Sequence, residues 1–205
     1  MGVIERKERE KEEMRQSILG AARKLFLEQG YEKTSIRNIA EAIEYSPGTI
    51  YLYYKDKSEI IFALHNESFG VMMAYFQSIA SIEDPFERLV AMGRKYLDFA
   101  FENPELYELM FLMKSPIETL ECRSEIWEHG HLATGMLKMI IADCVQAGYF
   151  KNTDIEAMCM TIWSGVHGLA TLHVSKRTTM YQEDERVGRI WAGFEMMVKM
   201  LRYGL

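Results

Sequence analysis

A chain of 205 residues that is 48% hydrophobic can bury one sizeable core, or a small module and a larger one. Four prolines, fourteen glycines and long apolar patterns at three- and four-residue spacing exclude a sandwich or barrel and predict an all-α protein. The formal net charge of −6 divides unevenly: residues 1–58 carry 11 basic against 10 acidic side chains and the remainder 13 against 20, so only the first part tolerates phosphate.

Cys122, Cys144 and Cys159 are an odd number at irregular spacing with no CxxC pair, which argues against a disulfide framework or a zinc knuckle and fits a reducing cytoplasm. The start of the chain, ERKEREKEEMRQ after Met1 to Ile4, lacks the apolar stretch a signal peptide requires. The most apolar stretches, residues 109–113 and 158–172, are too short or too interrupted to span a bilayer. The expectation is a soluble, cytoplasmic protein with no membrane partner.

Nine helices are predicted. Ile18, Ala21, Ala22, Leu25 and Phe26 form one face of the first, which ends at Gly30. Glu5/Arg9, Arg6/Glu10 and Arg9/Glu13 mix signs at i to i+4 and predict a solvated extension of that helix. The second helix is capped by Thr34 or Ser35 and turns Ile36, Ile39, Ala40 and Ile43 inward; the third runs from Pro47 to about Tyr54 with Ile50 inward. Longer helices follow at about 57–80, 85–102, 104–113, 117–147, 154–175 and 182–203. Ser46-Pro47, Asp84-Pro85, Asn103-Pro104 and Ser115-Pro116 each put a capping residue before a proline, which marks a helix start. Asp56 to Glu59, Asp84 to Glu87 and Ser115 to Glu118 resemble capping boxes. The expected division is residues 1–58 and 59–205, with the boundary in the helix that starts near Lys57.

Two short helices joined by a tight turn and braced by a longer one form the tri-helical arrangement that sets its last member in the DNA major groove. The third helix suits that role, since Ser46 caps it, Gly48 allows close approach, and Thr49, Tyr51 and Tyr53 offer hydroxyls. Thr34, Ser35 and Arg37 stand at the start of the second helix, while Lys55 and Lys57 flank the end of the third. Spacing alone leaves open an ordinary helical hairpin with half-buried tyrosines. Arg6, Lys7 or Arg9 reaching an adjacent groove is the alternative for the leading segment.

The segment GYEKTSIRNIAEAIEYSPGTIYLYYKDKSEI resembles the DNA-binding signature of the tetracycline-repressor (TetR) family of one-component regulators, almost continuously over residues 14–64. The resemblance implies phosphate contacts for Thr34, Ser35, Tyr51 and Lys57, and base-edge positions for Arg37, Ser46, Pro47, Thr49 and Tyr53. Two departures stand out. Glu44 replaces the usual glycine at the left-handed end of the second helix, which costs about 1 kcal/mol or requires a different turn. Pro47 and Leu52 occupy positions where many relatives carry a charged or polar side chain, so base discrimination rests on few bidentate contacts, and on Arg37 and the tyrosines more than usual.

Residues 80–205 are rich in methionine and phenylalanine. Core packing is one reading. With the resemblance, the other is a mostly apolar effector cavity, with Phe99, Tyr107, Met110, Phe111, Met136, Met139, Ile140, Trp163 and His167 as candidates. Trp163 to Leu169 resembles a Trp-x-x-x-His-Gly pattern found in the regulatory domain of one TetR subgroup. The family pairs its last two long helices with their symmetry mates, which implies a homodimer interface built from Trp163, Gly165 and Gly168 with Trp191, Phe194 and Met197. His167 is then a satisfied interface or core histidine, or a ligand contact. His129-x-His131 near Cys122 and Glu128 has the wrong helical spacing for a metal pair, so no metal site and no cofactor are expected.

No nucleophile with its base, paired carboxylates or phosphate loop is readable, so an enzyme is not expected; a small helical enzyme or a helical adaptor remains the alternative. The expected function is a ligand-responsive regulator of double-stranded operator DNA, repressing in the usual family manner. Its homodimer would set two recognition helices about 34 to 36 Å apart on a pseudo-palindrome, and a small, mostly apolar effector would release it.

Overall fold

The computed structural model describes residues 2–113, 127–151 and 153–203. Among them are nine α-helices and no strand: α1 Val3–Gln29, α2 Ile36–Ala42, α3 Pro47–Tyr51, α4 Lys57–Phe76, α5 Pro85–Glu102, α6 Pro104–Tyr107, α7 Trp127–Gln146, α8 Ile155–Val174 and α9 Arg186–Tyr203. A 3₁₀ turn, Gln77–Ser81, follows α4, and a π-helical turn, Glu108–Leu112, follows α6. The Ser115 to Glu118 capping box and the expected start of the seventh helix at 117 lie outside the described residues.

Two compact units are formed, one from the described residues of Met1–Ser68 and Glu108–Trp127, the other from Phe69–Tyr107 and Glu128–Leu205. The division falls between Ser68 and Phe69, inside α4.

In the first unit, α1 opens with the Gly2 N–H donating to the Glu5 carboxylate at 2.8 Å and closes at Gly30, whose positive φ of 87° only glycine adopts freely. Its first turns are exposed and laced by Arg6–Glu10 at 2.8 Å and Arg9–Glu13 at 3.4 Å, each contributing about 0.2–0.5 kcal/mol. From Ile18 on it becomes amphipathic. Ile18, Ala22 and Phe26 meet Ile39 and Ala40 of α2, Ile50 of α3, and Ile60, Ile61 and Leu64 of α4 in one cluster. Leu109 of the π-helical turn, 1% exposed, completes it. The Met113 N–H donates to the Glu108 carbonyl at 3.0 Å, five residues back, so the helix expected at 104–113 loses its α-helical register after Tyr107.

Asp56 caps α4 by accepting from the Glu59 N–H at 2.9 Å. The Glu59 carboxylate turns back to the Lys55 N–H, one residue beyond the position a regular capping box uses. Ser35 rather than Thr34 caps α2, accepting from the Asn38 N–H at 3.1 Å.

In the second unit α8 packs against α5 on one side and α9 on another. Glycines set two of these approaches. A Cβ on Gly93 of α5 would meet the Phe194 ring of α9 at 2.7 Å, and one on Gly165 of α8 would meet the Met197 sulfur at 2.5 Å. Asp84 caps α5 through the Glu87 N–H, and the Tyr149 hydroxyl donates to its other oxygen at 2.7 Å; both bonds hold the carboxyl below the usual range. Phe86 stacks on Tyr149 at 5.0 Å with the Arg202 guanidinium 4.5 Å from its centroid, tying the end of α9 to the start of α5. Asn103 does not cap α6 with its side chain: its amide donates to the Tyr75 hydroxyl at 2.9 Å and to the Phe99 carbonyl at 3.2 Å.

Candidate nucleic-acid interface and regulatory core

Between α2 and α3 the chain turns at Ile43, Glu44 and Tyr45. Glu44 has φ 61°; its N–H reaches the Glu41 carbonyl at 3.2 Å and the Tyr45 N–H reaches the Ala40 carbonyl at 2.9 Å. That is the two-bond left-handed closure usually built on glycine. Of the two possibilities at Glu44, the ordinary turn is kept and the residue carries the strain. Tyr45 leads into Ser46, whose hydroxyl caps α3 by accepting from the Thr49 N–H at 3.3 Å, with Pro47 at the first helical position. Only Ile50 of α3 is fully buried.

The opposite side of this hairpin is open: Ser35, Arg37, Ser46, Pro47, Gly48, Tyr51 and Lys55 are exposed, Thr49 and Tyr53 half-buried. Thr34 is a correction. It is 2% exposed and its hydroxyl donates inward, to the Gly30 carbonyl at 2.9 Å, so its side chain is not placed to meet phosphate. Arg37 is paired with Glu41, Nε to carboxylate at 2.8 Å, which raises its proton affinity further. The Lys57 ammonium donates to the Tyr31 carbonyl at 2.7 Å and lies 4.1 Å from that ring's centroid. Partial burial lowers its proton affinity.

The regulatory candidates do not form one group. Met110 and Phe111 belong to the first unit. In the second, Phe99 and Ile140 are buried core residues, and Met139 is 64% exposed, lining an open apolar depression on α7 with His131, Leu132, Gly135 and Met136.

Tyr107, Trp163 and His167 are brought together, and with them comes Tyr96, which the sequence did not single out. His167 Nδ1 is 2.8 Å from the Tyr96 hydroxyl and 2.9 Å from that of Tyr107. The Tyr107 hydroxyl also reaches Thr171 Oγ1 at 2.9 Å, and the Trp163 ring lies 5.7 Å from the imidazole. Burial pushes Tyr107 up to about 12 and Tyr96 well above its usual value, while it lowers His167. The cluster is thus a set of neutral, mutually bonded groups in an apolar surround. Thr171, one turn after His167 on α8, is the signal that was available.

The expected interface residues do not share one face of the α8–α9 pair. Phe194 is 1% exposed and fills the space left by Gly93; Gly165 and Met197 occupy each other; Trp191 is half-buried against Phe101, centroids 5.6 Å apart. Gly165 with Met197, and Leu169 with Gly193, where a Cβ would stand 3.0 Å from the leucine, fix α8 and α9 as antiparallel. On right-handed helices so arranged, stepping one residue forward from each contact leads to one side of the pair, and one residue back to the other.

Forward are Val166, Ala170 and Phe194, all buried, and Val198, half-buried. Backward are Ser164, Gly168, Ala192 and Met196, extended by Met160, Leu172 and Met200, an apolar face with four large side chains 42–57% exposed. Nothing stands within 4 Å of a Cβ on Gly168. Trp163, 40% exposed, is on α8 beside this face. Met160, Leu172, Met196 and Met200 were not among the expected interface residues, although the four-residue steps 160, 164, 168, 172 and 192, 196, 200 are visible in the sequence.

Among the described residues no group of three metal-ligating side chains is present, and no helix is long and apolar enough to cross a membrane. Cys122 and the side chain of His129 lie outside the described part of the chain.

A braced helical hairpin with an open polar front, followed by an all-helical second unit, defines a one-component DNA-binding transcriptional regulator. The chain belongs to the tetracycline-repressor family: residues 89–201 match the tetracyclin repressor-like C-terminal domain and residues 18–64 the bacterial regulatory proteins of the tetR family. Its members are regulators rather than enzymes, and they bind operator DNA and small-molecule effectors.

Among curated relatives, the HTH-type transcriptional regulator HbdR of Aromatoleum sp. (strain CIB) is 29% identical over 164 residues, 79% of this chain and 71% of its own. The transposon Tn10 TetC protein of Escherichia coli is 21% identical over 189 residues, 90% and 91% of the two chains. Among solved structures, the fatty acid degradation regulator FadR of Bacillus halodurans superposes with a TM-score of 0.73 at 21% identity, covering 93% of this chain and 95% of that one. FadR of Bacillus subtilis in complex with stearoyl-CoA gives 0.72 at 21%, covering 93% and 98%. These superpositions show the shared fold.

Proposed function

We propose that this regulator is a homodimeric repressor that binds a pseudo-palindromic operator through the α2–α3 hairpin and leaves it when an effector with a long apolar part enters the second unit. The observation that carries the reading is the open front of the hairpin. Ser35, Tyr51, Lys55 and Lys57 would grip phosphates from two sides, and Arg37, Ser46, Pro47, Thr49 and Tyr53 would face the bases. Gly48 lets the backbone approach. Thr34 supports the site from within by fixing the turn before α2.

The second copy would cover the Met160, Ser164, Gly168, Leu172, Ala192, Met196 and Met200 face, since a flat apolar pair of helices is self-complementary about a two-fold axis. The effector class is supported by the apolar core of the second unit and by the stearoyl-CoA held by the Bacillus subtilis relative. The Tyr96, Tyr107 and His167 hydrogen-bonding groups would orient a polar end. A DNA-binding regulator of this kind would work in the cytoplasm.

The test is salt-dependent binding to duplex DNA by wild type and by Tyr51→Ala with Lys57→Ala, repeated with saturating stearoyl-CoA. Wild-type affinity should fall steeply with salt and on adding the acyl-CoA, and the double variant should bind weakly throughout. Salt-insensitive or absent binding would sink the DNA reading; unchanged affinity with the acyl-CoA would sink the effector class.

A further inference from the structure

The outermost line of α3 carries no polar side chain. Ile50 is fully buried, and at roughly 100° per residue Gly48 and Leu52 each lie about 160° from it, farthest from the core. Leu52 keeps right-handed helical dihedrals, φ −73° and ψ −19°, so it extends that line. At 79% it is the most exposed large apolar side chain among the described residues.

Side chains that read bases by paired hydrogen bonds are few on this front, and those present also have partners within the hairpin. Helix α3 contains no Arg, Lys, Asn or Gln. On α2, Arg37 is held by Glu41, and the Asn38 carbonyl oxygen accepts from the Ser35 N–H at 2.9 Å. Ser46 and Thr49 hydroxyls lie 3.2 Å apart and serve the helix cap.

An apolar side chain at the front of a major-groove helix has one chemical counterpart among the base edges, the C5-methyl group of thymine. We propose that Leu52 is a specificity-determining residue that reads one thymine methyl in each operator half-site, with Gly48 admitting the helix close enough for contact. The inference rests on the DNA-binding reading above. It adds a methyl contact to the base-facing positions of α2 and α3 and leaves most of the affinity to the phosphate contacts of Ser35, Tyr51 and the lysines.

The experiment selects sites from random duplex DNA with the 205-residue protein, then replaces each thymine of the enriched half-site in turn by 2′-deoxyuridine, which lacks only the methyl. At one thymine per half-site, affinity falls about fourfold per methyl and about fifteenfold when both half-sites are changed. Leu52→Ala binds the unmodified site correspondingly more weakly, and deoxyuridine then has less than about a twofold further effect. The slope of log affinity on log salt stays at its wild-type value, since no phosphate contact is lost. Leu52→Met, which keeps a long apolar side chain, keeps the sensitivity.

The assignment is overturned if no thymine in the wild-type series is sensitive, if Leu52→Ala is as sensitive as wild type, or if its loss comes with a shallower salt slope. Failure to enrich any site overturns the DNA-binding reading itself, whereas enrichment without a methyl effect overturns the role of Leu52 alone.

Discussion

Gly93 on α5 and Phe194 on α9 fit so closely that a single methyl on the glycine would stand 2.7 Å from the phenylalanine ring. The ring is 1% exposed and cannot retreat. In an open helix, Gly→Ala stabilises by about 1 kcal/mol. Here Gly93→Ala should instead destabilise the protein by about 1–3 kcal/mol through overpacking, and Phe194→Ala by about 3–5 kcal/mol through the cavity it leaves. The double variant Gly93→Ala with Phe194→Ala should lose less than the single costs combined, since both act on one space. Urea unfolding read by circular dichroism measures all three; additive losses would show that the pair is not coupled.

Three helices end in the same left-handed closure. Glu44 has φ 61°, Lys176 φ 53° and Gly148 φ 86°, and each is followed by a residue whose N–H returns five positions, as Arg177 does to the Leu172 carbonyl at 2.9 Å. Only one has the residue that fits without strain. All three are exposed, so conformational energy alone should decide the outcome. Glu44→Gly and Lys176→Gly should each stabilise by about 0.5–1 kcal/mol, and Gly148→Ala should destabilise by about 1 kcal/mol. Thermal melts of the three variants give opposite signs if this is right.

His65 on α4 is 6% exposed and hydrogen-bonded to the Leu109 backbone, and burial pushes it down to about 4. The sign follows from its folded value lying below the unfolded one of about 6.5. Above about 6.5 both states are neutral there and stability is at its full value. As pH falls, the unfolded chain takes the proton first, so stability is lost between about 6.5 and 4, by about 3 kcal/mol for this group. His167 and His173, also lowered by burial, act in the same direction. His65→Gln should flatten the fall in unfolding free energy measured from about pH 7 to about pH 4.5; an unchanged pH dependence would remove His65 as its cause.

Local chemistry explains how much of this was legible beforehand. Ser46-Pro47 and Asp84-Pro85 start helices where expected because a cap and a proline act within four residues. The departure at Glu44 was readable because a left-handed closure is also local. What a side chain meets is not local. Thr34 is a plausible phosphate contact until its hydroxyl is seen turned to Gly30, and Gly165 a plausible dimer residue until Met197 of the same chain fills it. Trp191 and Phe194 are large and apolar, but their helix has two apolar sides, and composition does not say which side is covered by α5. The change to a π-helical turn after Tyr107, where Leu109 joins the first core, has no local signal in PELYELMFL.

Arg37 and Glu41 form an i, i+4 pair on the exposed side of α2, 2.8 Å from Nε to carboxylate. A base edge or phosphate that takes Arg37 must displace Glu41, which stands exposed on the same helix and repels DNA on its own account. Both effects work against binding, and both vanish in Glu41→Gln. That variant should bind the selected operator about two- to threefold more tightly at low salt, the pair itself accounting for up to about twofold. Arg37→Ala should weaken binding, and adding Glu41→Gln to it should recover only the part due to charge repulsion. The advantage of Glu41→Gln should shrink at high salt, where exposed charges are screened within about 3 Å at about 1 M. Equal gains from Glu41→Gln with Arg37 present and absent would show that Arg37 does not touch DNA.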